Sequence, residues 1–216
     1  GTPLRLALFA ERETMAGAKR ALGFAPADPL LLVLGGSQGA ARLNAFVVEN
    51  LSTLLERFQV YHQTGSANAE EVTGLVRSAL EGVPAALRLR YRSVGFLDAG
   101  GMRRALTAAD VALSRSGSSA IAELALFAVP SVLVPLPGAA NDHQRKNAYA
   151  YADTGVTSVI EEGNCTTHIV FTELTRLLGV GERRAEVAAA VALFVRPDAA
   201  RVIVAELMRL GGIPSV

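Results

Sequence analysis

A single cysteine, Cys165, excludes an internal disulfide, and no group of Cys and His residues has the spacing of a metal site. No apolar run reaches the roughly 18 residues that a transmembrane helix needs. The opening residues, GTPLRLALFAERE, lack the basic-then-apolar order of a secretory signal. An excess of either charge is missing too. Lys and Arg number 21 against 20 Asp and Glu, and a net charge of +1 makes no electrostatic case for nucleic acid. Internal repeats and low-complexity linkers are also absent. Together these absences predict a soluble domain of a reducing cytoplasm, with peripheral membrane contact left open.

Half of the 216 residues are hydrophobic, spread along the chain as Ala, Leu and Val rather than gathered into one run. A chain of this length buries about two-thirds of the surface it exposes when unfolded, enough for one domain with its own core. Short apolar runs read as buried strands at Leu30 to Leu34, Phe58 to His62, Leu87 to Val94, Val111 to Leu113, Ser131 to Val134 and Thr157 to Ile160. Helical periodicity fills the intervals: Ala40 to Glu56, Ala67 to Leu80, Met102 to Ala108, Ser118 to Phe127, Asp142 to Thr154 and Thr167 to Leu178. Strands that alternate with helices form βαβ units, and strands apolar on both faces need both faces covered. The predicted fold is α/β: a doubly wound, mainly parallel, six-stranded Rossmann-like sheet. Beyond residue 181 two further helices are expected to pack on the domain, the second started by Pro197. Ligands of such a fold sit beyond the carboxyl ends of the strands.

Three segments there carry chemistry. In LLVLGGSQGAARLN (Leu31 to Asn44) a strand runs through Gly35, Gly36 and Gly39 into a helix, and Ser37 adds a hydroxyl. Glycines let a backbone approach a ligand closely, and free N–H groups at a helix start favour a phosphate. The pattern is neither GxGxxG nor a P-loop, and a tight turn without ligand fits it as well. In SRSGSSAIAELALFAVP (Ser114 to Pro130), Glu123 lies inside an apolar helical run. It reads either as an acceptor for ribose hydroxyls or as a solvent-facing carboxylate. In VPLPGAANDHQRKNA (Val134 to Ala148), Asn141 or Asp142 caps a helix that presents His143, Gln144, Lys146 and Asn147, whose amides suit sugar hydroxyls. An ordinary capped, solvated helix is the other reading. Arg88, Arg90 and Arg92 alternate along one strand face, either as the charges of an edge strand or as a basic stripe for anionic lipid or a partner, and His62 and His168 read as structural or surface residues.

Taken in order and spacing, GGSQGAARLN, YHQTG, GFLD, AADVALSRSGSSAIAE and LVPLPGAANDHQRKNA resemble the carboxyl-terminal half of the MurG family over nearly the whole chain. The resemblance implies one half of a GT-B glycosyltransferase. Residues 1–216 would form the donor domain, with 1–10 a remnant of the interdomain linker, 181–216 the terminal helices, and the amino-terminal acceptor domain absent. It implies UDP-N-acetylglucosamine as donor and lipid I as acceptor, in inverting transfer at the inner face of the cytoplasmic membrane. Ser37, Gln38 and the Gly36 to Gly39 backbone would meet the diphosphate. Leu97 would offer its backbone to uracil beside Met102 and Arg5, and Glu123 would hold the ribose. His143 and Gln144 would contact the sugar, while Ser116 and Gly117 would line the cleft. No metal or other cofactor is implied. A donor half of another UDP-sugar transferase, a stand-alone donor subunit and a nucleotide-sugar-binding domain without catalysis remain the alternatives. The chain departs from the family's pattern at residues 98–102, where Asp98 is followed by Ala-Gly-Gly before Met102, and a longer loop is expected there. The general base is expected from the absent half.

Overall fold

A computed structural model describes residues 2–36, 40–181 and 184–211. Six parallel strands form one sheet: β1 (Leu30–Leu34), β2 (Gln59–Gln63), β3 (Tyr91–Val94), β4 (Val111–Ser114), β5 (Ser131–Leu133) and β6 (Thr157–Val159), in the order β3-β2-β1-β4-β5-β6. The chain leaves β3 on one edge and returns to the centre at β4, so the direction of winding reverses between β1 and β4. That reversal opens a crevice above the carboxyl ends of the two strands.

The helices among the described residues, in chain order, are α1 (Met15–Ala21), α2 (Ala41–Glu49), α3 (Leu51–Arg57), α4 (Ala69–Ala79), α5 (Ala85–Arg88), α6 (Ala99–Ala108), α7 (Ser118–Leu126), α8 (His143–Ala152), α9 (Thr167–Gly181), α10 (Arg184–Val191) and α11 (Ala199–Leu210). β1 shows why its sequence is apolar throughout. Leu32 and Leu34 point into a core with residues of α6, α7, α8 and α10, while Leu31 and Val33 join the opposite core with residues of α2, α3, α4 and α9. A pleated strand sends alternate side chains to opposite faces, and here both faces are covered.

The end of the sheet away from the crevice is fixed by a buried cation. Lys19, only 2% exposed, donates from Nζ to the Asp28 carbonyl at 2.8 Å and pairs with Asp110 at 2.7 Å. The same Asp110 oxygen accepts the Leu30 N–H that begins β1. A buried charge is tolerated because it is paired and hydrogen-bonded.

Several expectations need correction. The run Leu87 to Val94 is not one strand: after Pro84 the chain makes the short α5, and only Tyr91–Val94 extends. β3 is an edge strand, as expected, but the three arginines do not share its face. Arg88 belongs to α5, Arg90 pairs with Asp28 at 2.8 Å, and Arg92 donates to the Gly23 carbonyl. The helix expected over Ala40 to Glu56 breaks at Asn50, whose side-chain amide joins its backbone N–H in donating to the Phe46 carbonyl. α1 has no counterpart in the periodicity, because its buried face consists of Ala18 and the Lys19 stem. Asp198 rather than Pro197 stands at the start of α11. α10 packs through Val187 and Val191, whereas α11 buries only Ala199 and leaves Val202, Ile203, Val204, Leu207 and Leu210 exposed.

Residues 98–102 form no long loop. Asp98 caps α6, accepting the Gly101 N–H at 2.6 Å, and the helix runs through Gly100 and Gly101 to a buried Met102. Two glycines in a first helical turn weaken it, and the cap offsets that loss. Asp98→Ala is therefore expected to lower unfolding stability by about 1 kcal/mol, read as a lower denaturant midpoint at unchanged slope. An unchanged midpoint would mean that α6 holds without its cap.

Candidate functional site

The crevice at the reversal is a cleft of about 880 Å³. Its floor is the carboxyl end of β1 with Gly35 and Gly36, and the ends of β2 (Gln63) and β4 (Ser114, Arg115). Gly36 has φ +81°, a conformation that favours glycine, so the turn out of β1 is tight as expected. Ser37, Gln38 and Gly39 lie outside the described residues.

Two helices start at this cleft. Ala40, Ala41 and Arg42 at the head of α2, and Gly117 to Ala120 at the head of α7, line it. Neither helix has a side-chain hydrogen bond at its cap. Among the described residues no side chain takes the first-turn N–H groups of either helix, and both helix dipoles present their positive ends, an arrangement that favours an anion. A cleft with two such helix starts suits a diphosphate.

Glu123 is not a solvent-facing carboxylate. It lines the wall, is only 9% exposed, and receives Arg5 Nη2 at 3.1 Å from the segment that precedes the sheet. Burial pushes its carboxyl above the ordinary range, and the Arg5 guanidinium partly opposes that rise. A carboxylate on a cleft wall can accept two vicinal hydroxyls, as the ribose reading requires.

On the far wall, Leu97 is buried and its peptide N–H and C=O have no hydrogen-bond partner among the described residues. Met102 lies beneath it, with the half-exposed ring of Phe96 alongside. An apolar slot with one free peptide suits a planar base. Leu136, His143 and Gln144 close the remaining side. Gln144 Oε1 accepts the Leu136 N–H at 3.1 Å, which ties the loop after β5 to α8. His143 Nδ1 lies 2.7 Å from the Ala140 carbonyl, which can only accept, so this nitrogen carries a proton and Nε2 is the ring atom left for other contacts. Asn141 and Asp142 reach this geometry with φ of 52° and 57°, left-handed values that Asn and Asp tolerate better than most residues. Asp142 takes the cap position of α8, but its side chain makes no capping bond.

Two expected site features differ in detail, whereas the two histidines are placed as expected. Ser116 does not line the cleft: it is fully buried, and its Oγ donates to the Gln144 carbonyl at 2.9 Å, bracing α8 against the turn after β4. Gln144 reaches the cleft wall and Asn147 does not. His62 is fully buried between Asn44 and Tyr91, and His168 is exposed. The sequence reading missed Arg42, Phe96, Arg115 and Glu162. Arg115 is buried, donates to the Val134 and Pro135 carbonyls and forms an ion pair with Glu162, 47 residues away. Among the described residues no group of three or more His, Cys, Asp and Glu side chains is placed to hold a metal ion.

Residues 30–203 match the glycosyltransferase family 28 C-terminal domain. The chain belongs to that family. The chain is 38% identical, over 191 residues, to the UDP-N-acetylglucosamine–N-acetylmuramyl-(pentapeptide) pyrophosphoryl-undecaprenol N-acetylglucosamine transferase of Anaeromyxobacter sp. (strain K), covering 85% of this chain and 46% of the relative. The enzyme of the same name from Sorangium cellulosum is 37% identical over 204 residues, covering 91% of this chain and 48% of the relative. The chain thus spans about half the length of the curated relatives it matches. Among solved structures, the Acinetobacter baumannii MurG has the same fold, with a TM-score of 0.67 at 24% identity over 96% of this chain and 57% of that one. Sucrose-phosphate synthase from Thermosynechococcus elongatus shares it too, with a TM-score of 0.64 at 15% identity over 96% of this chain and 50% of that one. The family 28 domain is therefore one Rossmann-like half of the GT-B architecture. Among its described residues no helix is long and apolar enough to cross a membrane.

Proposed function

We propose that this chain is the donor-binding half of an inverting N-acetylglucosaminyltransferase. It binds UDP-N-acetylglucosamine for transfer of the sugar to lipid I in peptidoglycan synthesis. One observation carries the reading. A single cleft at the winding reversal of a family 28 domain holds, among the described residues, two helix starts without a side-chain cap, a wall carboxylate and a free peptide in an apolar slot. A nucleoside diphosphate sugar has one part for each.

In this reading Glu123 accepts the ribose hydroxyls, and Arg5 turns from Glu123 toward the base. The Leu97 peptide pairs with the uracil edge, with Met102 and Phe96 against the ring. The starts of α7 and α2, with Gly36 to Gly39 including Ser37 and Gln38, take the diphosphate. His143 and Gln144 face the sugar, and Gly117 leaves room at the turn. Helix starts stabilise an anionic leaving group without a metal, so none is required here. Lipid I and the base that takes its proton belong to the part of the relatives' length that this chain does not cover, and the assembled enzyme works peripherally at the inner membrane face.

Calorimetric titration of the 216-residue chain with UDP-N-acetylglucosamine, then with UDP-glucose and ADP as competitors, tests the reading. Both UDP compounds are expected to bind and ADP to compete poorly. Equal binding of ADP would refute a uracil slot at Leu97, and a folded chain that binds no nucleotide would refute the donor site.

A further inference from the structure

The charges that line the cleft do not cancel. Among the described residues that line it, three are arginines, Arg5, Arg42 and Arg115, and two are glutamates, Glu123 and Glu162. Arg5 is committed to Glu123 at 3.1 Å. Arg115 is committed to Glu162 and to two backbone carbonyls, and it is too buried to leave them. Arg42 is left over. Its Nε lies 4.0 Å from the second oxygen of Glu162, the side chain is 76% exposed, and it makes no hydrogen bond among the described residues. It projects from the first turn of α2, the helix that follows the glycine turn, so its guanidinium starts at the cleft rim beside uncapped N–H groups.

We propose that Arg42 binds the diphosphate of the nucleotide sugar, moving from Glu162 onto the phosphate oxygens when the donor enters. This rests on the donor-binding reading above and assigns the ligand's charge to one side chain. Three features support it. A surplus cation within a concave wall raises the local concentration of an anion. A guanidinium offers two parallel donors to phosphate oxygens, whereas its present contact with Glu162 is long and exposed, so little holds it there. The partner it would leave is not stranded, because Glu162 keeps Arg115.

The test compares UDP, UMP and uridine on the wild-type chain and on Arg42→Ala and Arg42→Lys by calorimetry at low and moderate salt. Alanine suits an exposed first-turn helix position, so both variants are expected to fold as the wild type does. Arg42→Ala should bind UDP about tenfold more weakly and show a shallower dependence on salt, UMP should lose less, and uridine should be unchanged. Arg42→Lys should recover part of the loss, since it restores the charge without the fork. UDP affinity unchanged in Arg42→Ala would overturn the proposal and leave the donor reading standing. An equal loss for uridine and UDP would also overturn it, showing that Arg42 shapes the cleft and does not bind phosphate. A wild-type chain that binds neither UDP nor uridine would remove the donor reading and this proposal together.

Discussion

Glu123→Ala is expected to weaken UDP binding by about ten- to a hundredfold, the usual loss when hydrogen bonds to a charged acceptor disappear. The same substitution should barely change binding of an analogue without ribose hydroxyls. Glu123→Gln separates charge from shape, because it keeps an acceptor oxygen at the same place. It should lose most of the UDP affinity but not the fold. The pH dependence has a definite sign. Burial raises the Glu123 carboxyl pKa above its ordinary value despite Arg5, so the native state holds that proton more tightly than the unfolded chain does. Stability from this group is present at low pH and declines as pH rises through the raised pKa. At neutral pH the buried carboxylate therefore works against folding, and Glu123→Gln is expected to be at least as stable as the wild type in a denaturant titration. Arg5, 41% exposed at its side chain, remains solvated without it. The combination of weaker binding with undiminished stability marks a residue kept for a ligand. A folded Glu123→Ala protein with wild-type affinity for UDP would sink the ribose role.

How far the sequence reveals this site depends on which physical signal each part leaves. β1 is legible from end to end, since a strand covered on both faces must be apolar at every position and the glycines stop it. The turn at Gly36, the α7 start at Ser118 and the α8 start at His143 are legible because glycines and left-handed Asn or Asp residues mark turns locally, even where no side chain caps the helix. Long-range pairings leave no local mark. Nothing in IEEGN singles out Glu162 as the partner of Arg115, and nothing near Arg5 points 118 residues ahead to Glu123. Ser116 shows the limit of carrying a role across by position: its motif sits at the cleft, but its hydroxyl faces backwards to brace α8. Arg88, Arg90 and Arg92 show the limit of periodicity, because a proline turned the first half of their run into a helix.

The second large effect concerns stability and centres on His62. This residue is fully buried in β2, and each ring nitrogen has one partner at 3.0 Å: Asn44 Oδ1 from α2 and the Tyr91 hydroxyl from β3. The Asn44 amide donates to the Thr64 carbonyl at 2.9 Å, which requires its oxygen to face the ring. His62 Nε2 must then carry the proton, and Nδ1 accepts from Tyr91. Both ring nitrogens and the Asn44 amide are satisfied, and the two facing side chains, Asn44 and Tyr91, are uncharged amide and phenol. An imidazolium there would gain no counter-charge and would turn Nδ1 from acceptor to second donor. Burial lowers the His62 pKa to about 4. Because the native pKa is depressed below the unfolded value of about 6.5, the stabilisation is fully present above that value. It is lost as pH falls from about 6.5 to about 4, over which the unfolded chain takes up the proton first. That interval corresponds to roughly 3 kcal/mol of stability. Replacing His62 with leucine should remove this slope, and at neutral pH it should destabilise the domain by about 1–3 kcal/mol by leaving the Asn44 oxygen without a donor. Urea titrations at pH 7 and pH 5 on both proteins check it. A wild-type chain as stable at pH 5 as at pH 7, or a His62→Leu variant with the wild-type slope, would show that the acid sensitivity of the fold lies elsewhere.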